Sequence, residues 1–200
     1  DERIIEFCRM WRREHLMTTD LWRNLEIAAV EAVREPGRAT LVPVAEVEFQ
    51  TIDAWLTMRL RDGKRLWYFN PQIRMVMPRW HQPETEEDCR DGKCKYQPRP
   101  QLTYMAQKTG QWKRVATYGG KLTENLCQAT SRQVREAAKR RIYAAWERSS
   151  LTVHEEIVCE VPDGFGDLKE FAGIMRECPG DWAKGWPIDV DAEEGIRYSK

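Results

Sequence analysis

The chain lacks the features that would send it into or across a membrane. It has no signal peptide and no apolar run long enough to span a bilayer, so no membrane partner is predicted. Its six cysteines (Cys8, Cys89, Cys94, Cys127, Cys159 and Cys178) lack the dense spacing of a disulfide scaffold, and the expected setting is cytoplasmic and reducing. There is no internal repeat and no convincing linker, so the 200 residues read as one domain or one lobe of something larger. Asp1 in place of Met leads us to expect a boundary inside a longer protein, or a processed end.

Net charge is missing too. Thirty-two Lys and Arg balance 32 Asp and Glu, which by itself argues against a free-standing nucleic-acid binder. The distribution says more. Residues 1–106 carry 17 basic against 17 acidic side chains, residues 107–148 carry 10 against 3, and residues 155–200 carry 5 against 12. A basic stretch beside an acidic one suits a surface that holds phosphates next to a site that holds cations. Chance clustering on solvated faces is the plain alternative.

What is present divides into four stretches. In the helical segment 1–36, Ile4, Phe7, Met10 and Trp11 recur at the helical interval, as do Leu21, Leu25, Ala28 and Ala32. Thr18, Thr19 and Asp20 are cap-like and are expected to break this stretch, and Pro36-Gly37 ends it. Residues 41–69 form a small β unit of strands 41–49, 54–60 and 65–69, with Asp62-Gly63 as a hairpin turn and Asn70-Pro71 as its close. Residues 78–100 are polar and proline-rich, an exposed excursion. The remainder, 101–200, reads as short strands at 102–105 and 112–117, then a helix from about Lys121 to Arg148. A hairpin at 151–161, a short helix capped by Asp167 and a final strand at 187–198 follow. The fold class is therefore α+β: long helices on a mainly antiparallel sheet that includes the 151–161 hairpin, with 41–69 as a satellite.

The chemistry concentrates at His154, Glu155 and Glu156, which sit at a tight bend between two β-prone runs. Carboxylates fixed on a strand-turn-strand suit Mg²⁺, which takes one or two protein ligands and keeps waters and substrate phosphates. Adjacent strand residues point to opposite faces, so Glu155 and Glu156 need not share a role unless the turn reorients them. The structural alternative is ordinary surface charge. Cys89, Cys94 and His81 have loose spacing and no evident fourth ligand, which argues against zinc. The nine tryptophans read mostly as core or interface packing, with base stacking as the rival use.

The order of these elements resembles a known family. Tyr118-Gly-Gly-Lys-Leu-Thr-Glu-Asn-Leu-Cys-Gln-Ala-Thr-Ser-Arg132, the Val-His-Glu-Glu-Ile-Val hairpin and Ile196-Arg-Tyr-Ser-Lys200 are similar to the C-terminal palm and fingers part of family A DNA polymerases. The phage-encoded branch is nearest. The likeness extends back through Leu102-Thr-Tyr-Met105, Tyr68-Phe-Asn-Pro71 and the helix from Trp22 to Val33, and so covers nearly the whole chain. It implies a palm-type sheet and a metal-binding hairpin of the His-Asp-Glu kind. Glu155 becomes the counterpart of the metal-binding aspartate, Glu156 its acidic neighbour, and His154 a residue near the primer terminus. It also implies a helix that touches primer-template DNA through Gln128 above all, with Lys121, Glu124, Asn125 and Arg132 as further contacts. Mg²⁺, deoxynucleoside triphosphates and, for a phage-encoded chain, a host cytoplasm follow from the same likeness.

Three departures qualify the expectation. Glu155 stands where the family has Asp; one added methylene moves a carboxylate, and a misplacement of about 1 Å costs on the order of 10²-fold in rate. Gln133 stands where relatives tend to place an acid. The second palm motif and the fingers helix that grips the nucleotide are absent and would precede residue 1, fused or on a separate chain. Alone, this chain should not polymerise. The rival readings are a catalytically degenerate DNA-binding remnant and a protein-interaction module working through the 78–100 segment.

Overall fold

The computed structural model describes residues 2–77, 98–146 and 151–198. The chain is α+β and forms two compact units that divide between Asn125 and Leu126.

The first unit opens with helices α1 (Glu2–Glu14) and α2 (Leu16–Arg34). The break falls at His15, not at the cap-like Thr18–Asp20. His15 has a non-helical backbone, its ring stacks on Trp11 at 4.3 Å, and Thr19 turns its hydroxyl back onto the Leu16 carbonyl. A threonine satisfied within the helix does not have to cap one. The small residues Ala28, Ala29 and Ala32 let α2 approach the sheet closely, and they are buried together with Leu25.

That sheet is a six-stranded antiparallel meander, β1 (Ala39–Val42), β2 (Val47–Ile52), β3 (Trp55–Arg59), β4 (Arg65–Val76), β5 (Arg99–Lys108) and β6 (Gln111–Ala116), in sequence order. Alternation puts Val47, Phe49, Leu56, Met58, Tyr68 and Leu102 into the core with α2. The predicted Asp62-Gly63 turn forms: Gly63 has φ +86°, and the Asp62 carboxylate accepts from the Lys64 N–H at 2.9 Å. Asn70-Pro71 does not close the β unit. It is a bulge inside β4, where the pairing steps from Phe69↔Met105 to Gln72↔Thr103. Asn70 tolerates its φ of +48°, and Pro71, which lacks an N–H, needs no ladder partner there.

The predicted 41–69 satellite is thus part of the principal sheet, and the 151–161 hairpin is not. The hairpin makes a separate two-stranded sheet, β7 (Leu151–Val153) with β8 (Glu156–Val158). Sequential strands pair in order, which fills the meander without it. Its own apolar side goes to a helix: in the second unit Ile157 is buried with Ala138 and Ile142 of α3 (Gly119–Trp146). Phe171, Ile174 and Met175 of α4 (Leu168–Arg176) complete that core. Asp167 caps α4 as expected, accepting from the Glu170 N–H at 3.3 Å. Gly166, at φ +77°, lies under Trp146, whose ring a Cβ would meet at 2.9 Å.

Residues 187–198 form no strand. Four acids interrupt the apolar alternation there, and the segment is held instead by Arg176, which donates to the Asp189 carboxylate at 2.7 Å and to the Val190 carbonyl. The predicted excursion at 78–100, with His81, Cys89 and Cys94, lies outside the described residues except for its last three, of which Arg99 and Pro100 already belong to β5. Among the described residues no helix is long and apolar enough to cross a membrane.

Candidate functional site

The hairpin turn is two residues long. Val153 pairs with Glu156, leaving His154 and Glu155 at the tip, with His154 at φ +49°. A positive φ is what a two-residue hairpin demands of its first loop position. His154, Glu155 and Glu156 are all exposed, so neither carboxylate is buried in the apolar interior. The Glu156 carboxylate accepts the Tyr198 hydroxyl at 2.6 Å, which holds the phenol's pKa above its ordinary value. The closing Ile196–Tyr198 run is thereby brought onto the hairpin, a pairing across 42 residues that no local pattern announces.

Arg135 of α3 ties the same tip to the helix. Its guanidinium donates to the His154 carbonyl and, at 2.7 Å, to Glu136, whose carboxyl is held below its usual range by that bond. Gln128 and Arg132, two turns and one turn earlier on α3, are both exposed. Gln133 is buried at 5% exposure, in a place where a carboxylate would cost desolvation.

Not every basic residue of α3 faces outward. Arg141 donates to the carbonyls of Ile174 at 3.0 Å and Glu177 at 2.9 Å, closing the C-terminal end of α4. Its only signal was position: an arginine next to the core residue Ile142 has a neighbouring helix within reach.

The other three predicted contacts, Lys121, Glu124 and Asn125, belong to the first unit. Asn125 donates its side-chain amide to the hydroxyl of Tyr68 at 3.1 Å; burial pushes that phenol's pKa up to about 12. Lys121 lies 2.6 Å from Glu124, and the bond raises its ammonium pKa. Beside them the Glu26 carboxylate of α2 accepts the Gly119 N–H at 2.9 Å, an acid placed at a helix N-terminus. Gly119 tolerates no side chain, since a Cβ would come within 1.9 Å of the Trp22 carbonyl oxygen.

The tip therefore offers two exposed carboxylates beside a partly cationic helix. Among the described residues no three His, Cys, Asp or Glu side chains are grouped to hold a metal ion. Two acids match the one or two protein ligands that Mg²⁺ ordinarily takes, and a second metal would need acids from elsewhere.

No family model matches the chain, and no solved structure matches it. The sequence is 33% identical over 196 residues to the DNA polymerase of Bacillus phage SP02, an alignment covering 98% of this chain and 27% of that polymerase. The chain spans about a quarter of the length of that relative.

Proposed function

We propose that this chain is the C-terminal part of a phage-type, family A, DNA-directed DNA polymerase, holding primer-template DNA along α3 and presenting Glu155 to Mg²⁺. Similarity to a phage DNA polymerase across 98% of the chain supports the polymerase reading. The observation that carries the site is the Arg135 bridge, which keeps the acidic tip against α3 within one compact unit.

In this reading Gln128 and Arg132 contact the duplex backbone and minor groove, with Lys121 and Asn125 as further contacts once they exchange their present partners for DNA. Glu155 supplies a carboxylate oxygen at the tip, Glu156 sets the local negative charge, and His154 lies near the primer end. The chemistry supplied by a bound Mg²⁺ pair is activation of the primer 3′-hydroxyl and stabilisation of the leaving pyrophosphate oxygen. The protein's part is positioning and charge neutralisation. The incoming nucleotide and the remaining metal ligands are assigned to the segment that completes the enzyme.

The test is primer extension by this chain reconstituted with a segment carrying the missing motifs, in Mg²⁺. Glu155→Ala should lower the extension rate by on the order of 10²-fold or more. Extension unchanged by Glu155→Ala removes that residue from the reaction. Salt-dependent binding of primed template without any extension or Mg²⁺ effect favours a non-catalytic DNA-binding segment. Failure to bind primed template at low salt overturns the DNA reading altogether.

A further inference from the structure

The meander of the first unit has two unlike sides. One side is buried with α2; the other carries a connected series of aromatic rings. Trp55 meets Trp67 edge-on at 6.1 Å and Phe69 at 4.8 Å, and Phe69 meets Trp112 at 6.1 Å. These are not core residues. Trp67 is 54% exposed and Trp112 63%, and Trp55 is 37% exposed. Large rings in contact with one another and open to water are costly unless something covers them.

The charge on these strands has one sign. β3 contains one Lys or Arg and β4, β5 and β6 contain two each, while none of the four contains an Asp or Glu. One of these cations sits beside the rings. Arg114 pairs with Met105, which in turn pairs with Phe69, and donates to the Asn70 carbonyl at 2.9 Å. Burial and the positive charge of Arg74 both push its guanidinium pKa down, so two like charges lie close. Among the described strand residues on this side, the acid Glu48 of β2 is already bound by Arg59 at 3.0 Å. A protein partner recognised by this surface would need matching acids on an apolar patch; a strand of unpaired nucleotides has both features in every repeat.

We propose that the open face of the β3–β6 sheet binds single-stranded nucleic acid, with bases stacked on Trp67, Trp112 and Trp55 and phosphates held by Arg74 and Arg114. Aromatic rings on a sheet accept any base on its π-face, and flanking arginines follow the backbone. Duplex is excluded from such stacking because its bases are already paired and stacked. This inference does not rest on the polymerase assignment, since it concerns a different surface and a different ligand.

The test uses the whole chain and a labelled oligothymidylate of about 16 nucleotides, the upper end of a compact single-strand site. Fluorescence anisotropy at low salt should show binding, accompanied by quenching of tryptophan emission, and any duplex binding through α3 should not depend on Trp67 and Trp112. The Trp67→Ala, Trp112→Ala double variant should weaken oligonucleotide binding by about ten- to a hundredfold or more. Circular dichroism checks that it folds. Arg74→Glu, at an exposed position, gives a second reading that does not disturb the rings. It should weaken binding and flatten its salt dependence.

No binding of the oligonucleotide, binding unaltered in both variants, or duplex binding weakened as much as oligonucleotide binding by the double tryptophan variant overturns the proposal. So does sedimentation showing a dimer that the double tryptophan variant dissolves, because the face would then be covered by a second copy of the chain.

Discussion

Tyr198 and Glu156 lie 42 residues apart and share a proton bridge of 2.6 Å. The contact fastens the last described turn of chain to the second strand of the acidic hairpin. It also gives Tyr198 a spectroscopic handle. Tyr198 is raised by this bond, whereas Tyr68 is raised to about 12 mainly by burial. A raised phenol stabilises the fold fully below its unfolded value of about 10, and that contribution is lost as pH rises through the folded value. Alkaline titration followed by ultraviolet absorbance should therefore show both phenols ionising late. Glu156→Gln should bring only Tyr198 down; a late phase that survives in Tyr68→Phe at full amplitude would contradict the assignment to Tyr68.

Gly119→Ala should be severely destabilising. Its new methyl would sit 1.9 Å from the Trp22 carbonyl oxygen and 2.5 Å from that carbonyl carbon, both backbone atoms that cannot swing aside. Forced overpacking costs about 1–3 kcal/mol, occasionally more, and this contact is at the severe end. Urea denaturation is the measurement. A midpoint within error of wild type would mean that α2 and the start of α3 are not in such close approach.

Arg141→Lys should not be a mild exchange. The guanidinium reaches the carbonyls of Ile174 and Glu177 together, and a lysine ammonium cannot span both in the same geometry. Each lost bond from a charged donor costs about 1.5–3 kcal/mol at most, less where water replaces it. The expected result is a lower melting temperature with unchanged affinity for primed template, measured by calorimetry and anisotropy. Weakened DNA binding at full stability would move Arg141 from helix closure to phosphate contact.

Arg132→Ala should behave in the opposite way. It is exposed on α3, so stability should change by no more than about 0.5 kcal/mol. Affinity for primed template should fall, and the slope of log affinity against log salt should decrease in magnitude by about 1. An unchanged slope would remove it from the phosphate-contacting set.

The parts of this structure that could be read from the sequence are those set by short-range chemistry. The 3.6-residue recurrence of Leu25, Ala28 and Ala32 gave α2, Asp62-Gly63 gave its hairpin, and Asp167 gave the start of α4. The hairpin at His154 and Glu155 was visible for the same reason. What escaped depends on distant partners. Thr19 looks like a cap until its hydroxyl is seen bonded within α2. Asn125 carries no local mark of the buried Tyr68 hydroxyl beside it, and Arg141 has only its place next to Ile142 to show that it reaches another helix. The division between sheets was misjudged because alternation identifies a strand without identifying its neighbour.

The bulge at Asn70 and Pro71 has an effect well beyond its own turn. By stepping the ladder once, it puts Ile73 opposite Leu102, on the α2 side, and leaves Gln72 and Arg74 on the side of Thr103 and Met105. Without that extra residue the alternation downstream of Phe69 would invert, sending a guanidinium towards the core and an isoleucine to water. One inserted position acts like a change of reading frame for the second half of the strand, and it decides which side of the meander is cationic.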